Sequence, residues 1–80
     1  MASITLRMFA GARQAAGMAS TPIDATSVRD AISQAVDRFG PDFEGVVMAS
    51  RIWLNGEAVE GDEAVADGDE VAVLPPVSGG

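Results

Sequence analysis

Ser27-Val28-Arg29-Asp30-Ala31-Ile32-Ser33-Gln34-Ala35-Val36-Asp37-Arg38-Phe39-Gly40-Pro41 is the stretch in which helix signals agree from end to end. Val28, Ile32, Ala35, Val36 and Phe39 recur at helical spacing and form one apolar stripe. Arg29, Asp30, Ser33, Gln34, Asp37 and Arg38 fill the other side. Thr26 or Ser27 can cap the first turn, and Asp30, three residues after Ser27, approximates a capping box. Gly40 and Pro41 end the pattern. A helix over about residues 27–39 with a single apolar stripe has to lie on an apolar surface supplied by the rest of the chain.

That surface reads as a sheet. Residues 3–9 alternate, with Ile4, Leu6 and Met8 on one face and Thr5, Arg7 and Phe9 on the other. Residues 10–17 are alanine-rich and suit a short helical turn closed by Gly17. Residues 18–24, with Met18 and Ile23 the largest apolar members, predict a second strand, which Pro22 puts at a sheet edge. Residues 41–50 read as a connection with a partly buried middle, Val46-Val47-Met48, and room for one helical turn. In residues 51–55, Ile52 and Leu54 share one face and Trp53 takes the other. Asn55-Gly56 is a strong hairpin signal because both positions tolerate positive φ, and 57–59 would be the short return strand. Residues 60–70 are acidic and turn-rich. Val71 to Leu74 form the last strand, stopped by Pro75-Pro76, since proline has no amide hydrogen for a ladder.

The element order predicts an α+β fold: a mixed sheet of about five strands, covered on one face by one long helix, with the first and last strands central. The inward set is Ile4, Leu6, Met8, Ile23, Val28, Ile32, Val36, Phe39, Ile52, Leu54, Val71 and Val73. Phe9, Trp53, Ala72 and Leu74 fall on the face away from the helix. An apolar face that nothing in the chain covers implies a partner surface.

Composition excludes many activities. Eighty residues make one domain, 1–80, with 75–80 as its tail. Cysteine and histidine are absent, which removes thiol chemistry, Ser-His-Asp triads and most zinc sites. Net charge is −7, from twelve acidic residues against five arginines, and lysine is missing. Five scattered arginines make no nucleic-acid footprint. No apolar run approaches a membrane span, and the N-terminus lacks a signal-peptide pattern, so the expected location is cytoplasmic. Asp67-Gly68-Asp69-Glu70 reads as a solvated turn, being too short and too poor in ligands for a calcium loop. No metal, bound cofactor or internal active site is expected, and the chain is not expected to be an enzyme.

The tail is where chemistry is expected. Six residues, Pro75-Pro76-Val77-Ser78-Gly79-Gly80, extend about 20 Å, long enough to enter a partner's pocket. The prolines stiffen its base. Gly79 and Gly80 have no side chains, so the tip passes where any other residue would be refused. A carboxylate there is a poor electrophile until ATP converts it to an adenylate, which a nucleophile can displace.

The stretch 67–80 resembles the MoaD/ThiS family of ubiquitin-like sulfur carriers and, within it, the small subunits of molybdopterin synthase. Leu6-Arg7-Met8-Phe9-Ala10 with Ala12-Arg13 resembles the family's first strand and following helix, and Trp53-Leu54-Asn55-Gly56-Glu57 its hairpin. The resemblance implies a ubiquitin-like β-grasp fold with a flexible C-terminal tail. It also implies a cycle. An E1-like enzyme adenylates Gly80 with MgATP, a sulfur donor protein converts the adenylate to a thiocarboxylate, and the tail enters the large synthase subunit. There, in a heterotetramer, two carriers in turn supply the dithiolene sulfurs of molybdopterin. Gly80, delivered by Gly79, carries the chemistry; Phe9, Trp53, Ala58, Leu74, Pro75, Pro76, Val77 and Ser78 meet partners. Carriers for thiamin thiazole, cysteine or a specialised metabolite end similarly, and a ubiquitin-like modifier or a plain interaction module is the contrasting expectation.

Overall fold

The structure is a computed structural model that describes residues 1–76; Val77, Ser78, Gly79 and Gly80 lie outside the described residues. The chain runs β1 (Ala2–Met8), α1 (Ala10–Ala16), β2 (Ser20–Ala25), α2 (Val28–Phe39), α3 (Pro41–Met48), β3 (Arg51–Leu54), β4 (Glu57–Val59) and β5 (Glu70–Leu74). The strands form one mixed sheet in the order β2-β1-β5-β3-β4. β5 lies parallel to β1 and antiparallel to β3, so the last strand is the middle of the sheet. The N-terminal and C-terminal strands are both interior, as their apolar content implies. Pro22 sits on the edge strand, where its missing amide hydrogen costs the ladder least.

The strands' inward residues, Ile4, Leu6, Met8, Ile23, Val71 and Val73, form one buried core with Ala12 of α1, Val28, Ala31 and Ala35 of α2 and Phe43 of α3. Ser27 caps α2 by accepting the Asp30 N–H on its Oγ at 3.0 Å. The Asp30 carboxylate reaches back one residue further than a capping box does, to the Thr26 N–H at 2.9 Å. Gly17 ends α1 in the left-handed region, φ 77°, and its N–H reaches the Arg13 carbonyl at 2.9 Å.

Two expectations change. The buried edge of α2 is Val28, Ala31 and Ala35, while Ile32, Val36 and Phe39 are only partly buried. Alanines at 31 and 35 let the helix backbone lie close to the sheet, and Ile32, Val36 and Phe39 form the neighbouring stripe on one side of them. The greater correction lies in residues 41–50, where a connection was expected. Pro41 opens a true helix, α3, at the position where a missing amide hydrogen is harmless. Phe43, fully enclosed, is the largest of the fully buried side chains and packs 5.1 Å from the Phe39 ring, centroid to centroid. The sheet is therefore covered by three helices rather than one. Phe43 escaped the sequence reading because a single aromatic residue in an eight-residue segment with Gly45 leaves little periodicity.

The acidic segment between β4 and β5 is an ordered brace. Ser27 and Ala64 form an isolated bridge. Asp67 Oδ1 accepts the Ser3 N–H at 2.8 Å, and Asp69 Oδ2 accepts the Ala66 N–H at 2.8 Å. The first ties the segment to β1 and the second closes its turn, and among the described residues no acidic cluster could hold a metal ion. No helix among them is long and apolar enough to cross a membrane.

Candidate functional site: the outer sheet face and the root of the tail

Register fixes which side chains share the outer face. Ala72 lies opposite Arg7 on one side and Trp53 on the other, and Trp53 lies opposite Ala58. One step toward the tail, Leu74 lies opposite Arg51, and Phe9 continues β1 with its N–H on the Val73 carbonyl at 3.3 Å. Phe9 is extended (φ −124°, ψ 153°), so the strand alternation carries on through it and turns its ring outward. Phe9, Trp53, Gly56, Glu70, Ala72 and Leu74 line a shallow hollow of about 260 Å³. Ala72 forms its floor because a methyl group between larger neighbours leaves a depression; it is itself 8% exposed.

The walls differ in exposure. Phe9 is 43% and Leu74 37% exposed, unusually open for large apolar side chains. Trp53 is half-buried, and its indole Nε1 is shielded without a hydrogen-bond partner among the described residues. Ala58 is exposed beside Trp53 on the short edge strand. Arg7 pairs with Glu70 at 3.5 Å on the same face. Pro75 is half-buried and Pro76 exposed, directly after Leu74. Of the expected partner-facing residues, Phe9, Trp53 and Leu74 thus share one hollow, Pro75 and Pro76 follow it at the end of β5, and Ala58 lies further out on the edge strand. Val77, Ser78, Gly79 and Gly80 fall outside the described residues.

Sequence reasoning left four neighbours of this face out of the candidate site: Gly56, Arg51, Arg7 and Glu70. The two-residue alternation Arg7–Phe9, Glu70–Ala72–Leu74 and Arg51–Trp53 already placed the charged residues there, and only the apolar members were followed. Asn55 was read purely as a turn residue. At φ 51° it does make the turn with Gly56 (φ 86°), but it also pins β5. Its backbone N–H donates to the Glu70 carbonyl at 2.9 Å, its Nδ2 to Asp69 Oδ1 at 3.0 Å, and its Oδ1 accepts the Glu70 N–H at 2.9 Å. Asp69 is accordingly held below the ordinary carboxylate range, first by the Ala66 amide and then by Asn55. The start of β5 is fixed to the hairpin, so the direction in which the strand delivers its far end is fixed as well.

A five-stranded mixed sheet in this order, with a helix across one face and its last strand in the middle, defines a ubiquitin-like β-grasp protein. The ThiS family pattern matches residues 6–80, and the chain belongs to that family of small sulfur carriers. The molybdopterin synthase sulfur carrier subunit of Chlamydomonas reinhardtii is 34% identical, over 96% of this chain and 98% of its own. The crystal structure of SAMP1 from Haloferax volcanii superposes with a TM-score of 0.85 at 34% identity, covering 98% of this chain and 99% of that one. A Pyrococcus furiosus protein provisionally described as molybdopterin converting factor, subunit 1, gives 0.84 at 32% identity, over 96% and 100% of the two chains.

Proposed function

We propose that this chain is the sulfur carrier of molybdopterin synthesis, with Gly80 as the group that is activated and Gly79 as the residue that lets it pass. The observation that carries the reading is where the middle strand leads: β5 ends at Leu74 beside an open apolar face, and Pro75-Pro76-Val77-Ser78-Gly79-Gly80 follows directly. An adenylating enzyme joins the Gly80 carboxylate to the AMP of ATP and releases pyrophosphate. Sulfide-level sulfur from a donor then displaces AMP, forming the C–S bond as the C–O bond to AMP breaks, and the resulting thiocarboxylate is presented to the large synthase subunit, which uses it to build the dithiolene. The named role of the Chlamydomonas relative supports this, as does the double proline before the glycines. The chain's part is to carry: the catalytic groups and MgATP belong to its partners.

A second reading is favoured by a different observation. SAMP1 is a small archaeal modifier protein, and this chain is as similar to it as to the molybdopterin carrier. Both readings begin with adenylation of Gly80 and part afterwards, one toward a thiocarboxylate and one toward an amide bond with another protein's lysine. The discriminating experiment supplies the purified adenylating enzyme, MgATP, a sulfur donor, the large synthase subunit and its pterin precursor. Molybdopterin formation that is lost on deleting Gly80 supports the first reading. Heavier protein conjugates without molybdopterin support the second.

A further inference from the structure

Among the described residues the exposed large apolar side chains are Met1, Phe9, Met48 and Leu74. Phe9 and Leu74 border the root of the tail on the outer sheet face. Met48 belongs to the helix layer, at the end of α3, where Val46 Cγ1 lies 3.8 Å from the place a Cβ on Gly11 would take, two residues after Phe9. Met48 is 83% exposed, whereas Phe43 of the same helix is enclosed and Val46 and Val47 are half-buried. The Ala49 N–H returns to the Val46 and Val47 carbonyls, and Ser50 Oγ donates to the Val46 carbonyl at 2.6 Å. This tight turn leads straight into Arg51, which lies opposite Leu74. Met48 precedes Arg51 by three residues, at most about 11 Å of chain, and adjacent strands lie about 5 Å apart, so the Met48 and Leu74 backbones are within roughly 16 Å.

We propose that Met48 is part of the docking surface for the ATP-dependent adenylating enzyme, whose contact wraps the tail root from the sheet face onto the end of α3. The proposal rests on the carrier reading above. Six residues extend about 20 Å. For Gly80 to reach the α-phosphate of a nucleotide in a pocket, the pocket mouth has to come close to Leu74, and a mouth that surrounds an extended chain meets its root on more than one side. An unbranched, polarisable methionine suits a contact of this kind, because it adapts its shape to the surface it meets. The core makes little use of the Met48 side chain, so a polar residue would serve the fold as well.

The test is carrier-dependent ATP–pyrophosphate exchange by the purified adenylating enzyme of the same organism. Met48→Asp should raise the KM for the carrier about tenfold, the effect of losing one buried apolar contact, and leave kcat within about twofold. Its thermal melt should match wild type, and Met48→Leu should restore the wild-type KM. Leu74→Asp is the reference for a residue on the sheet face. If Leu74→Asp raises KM while Met48→Asp behaves as wild type, the wrapped contact is wrong and the carrier reading stands. If the wild-type chain supports no exchange, the carrier reading falls and this inference with it.

Discussion

Phe43→Ala is the substitution that most sharply tests how the helix layer is built. The ring is fully enclosed and leans on Phe39 at an interplanar angle of 57°. Truncating a buried phenylalanine forfeits its transfer free energy and leaves a cavity, together about 3–5 kcal/mol. A domain of 80 residues holds about 4–12 kcal/mol in all. The variant therefore loses a large fraction of its stability, and its Tm should fall by roughly 15 °C or more. Urea unfolding followed by circular dichroism gives the number directly, with the change expected in the midpoint rather than in the slope. A loss under about 1 kcal/mol, ordinary for a surface position, would mean that α3 is not part of the core. The same experiment bears on function, because α3 leads into β3, which flanks the strand that carries the tail.

Other substitutions test smaller parts of the account. Ser27→Ala removes the hydroxyl that caps α2 and should cost about 1 kcal/mol in urea unfolding, with adenylation unchanged. Phe9→Asp should weaken the carrier's apparent affinity for its adenylating enzyme far more than it lowers Tm, since the ring is already partly in water; equal losses would place Phe9 in the core. Glu63 and Asp69 are both held below their ordinary values of 4.5 and 3.8, Glu63 first by the Gly61 amide and Asp69 first by the Ala66 amide. A depressed folded-state pKa adds stability that is complete above the unfolded-state value and is lost as pH falls through the folded-state value. Tm should therefore hold steady down to about pH 5 and decline below it, and Asp69→Ala should lower the plateau and flatten that decline.

The parts of the fold that could be read in advance are those with repeated local signals. The alternation of Ile4, Leu6 and Met8, the stripe from Val28 to Phe39 and the Asn55-Gly56 turn each rest on several residues that agree. α3 rests on one buried aromatic residue beside a proline, and its role emerges only when the Phe39 ring is placed against it. The face carrying Phe9, Trp53 and Leu74 was legible because strand alternation separates it from the core without knowledge of strand order. What alternation could not supply was lateral register. That Arg51 stands opposite Leu74, or that Asn55 reaches across to Asp69 and Glu70, depends on which strands become neighbours. Where Met48 lies relative to the tail root was hidden for the same reason.

In the proposed cycle sulfur travels on Gly80. The most direct measurement is the intact mass of the full chain after incubation with its adenylating enzyme, MgATP and a sulfur donor, followed by fragmentation to locate the change. The expected result is the mass gained when one oxygen is exchanged for sulfur, located in the last residue and absent when ATP is withheld. An unchanged mass in the presence of an enzyme that is active on the chain, or a sulfur located anywhere else, would contradict it.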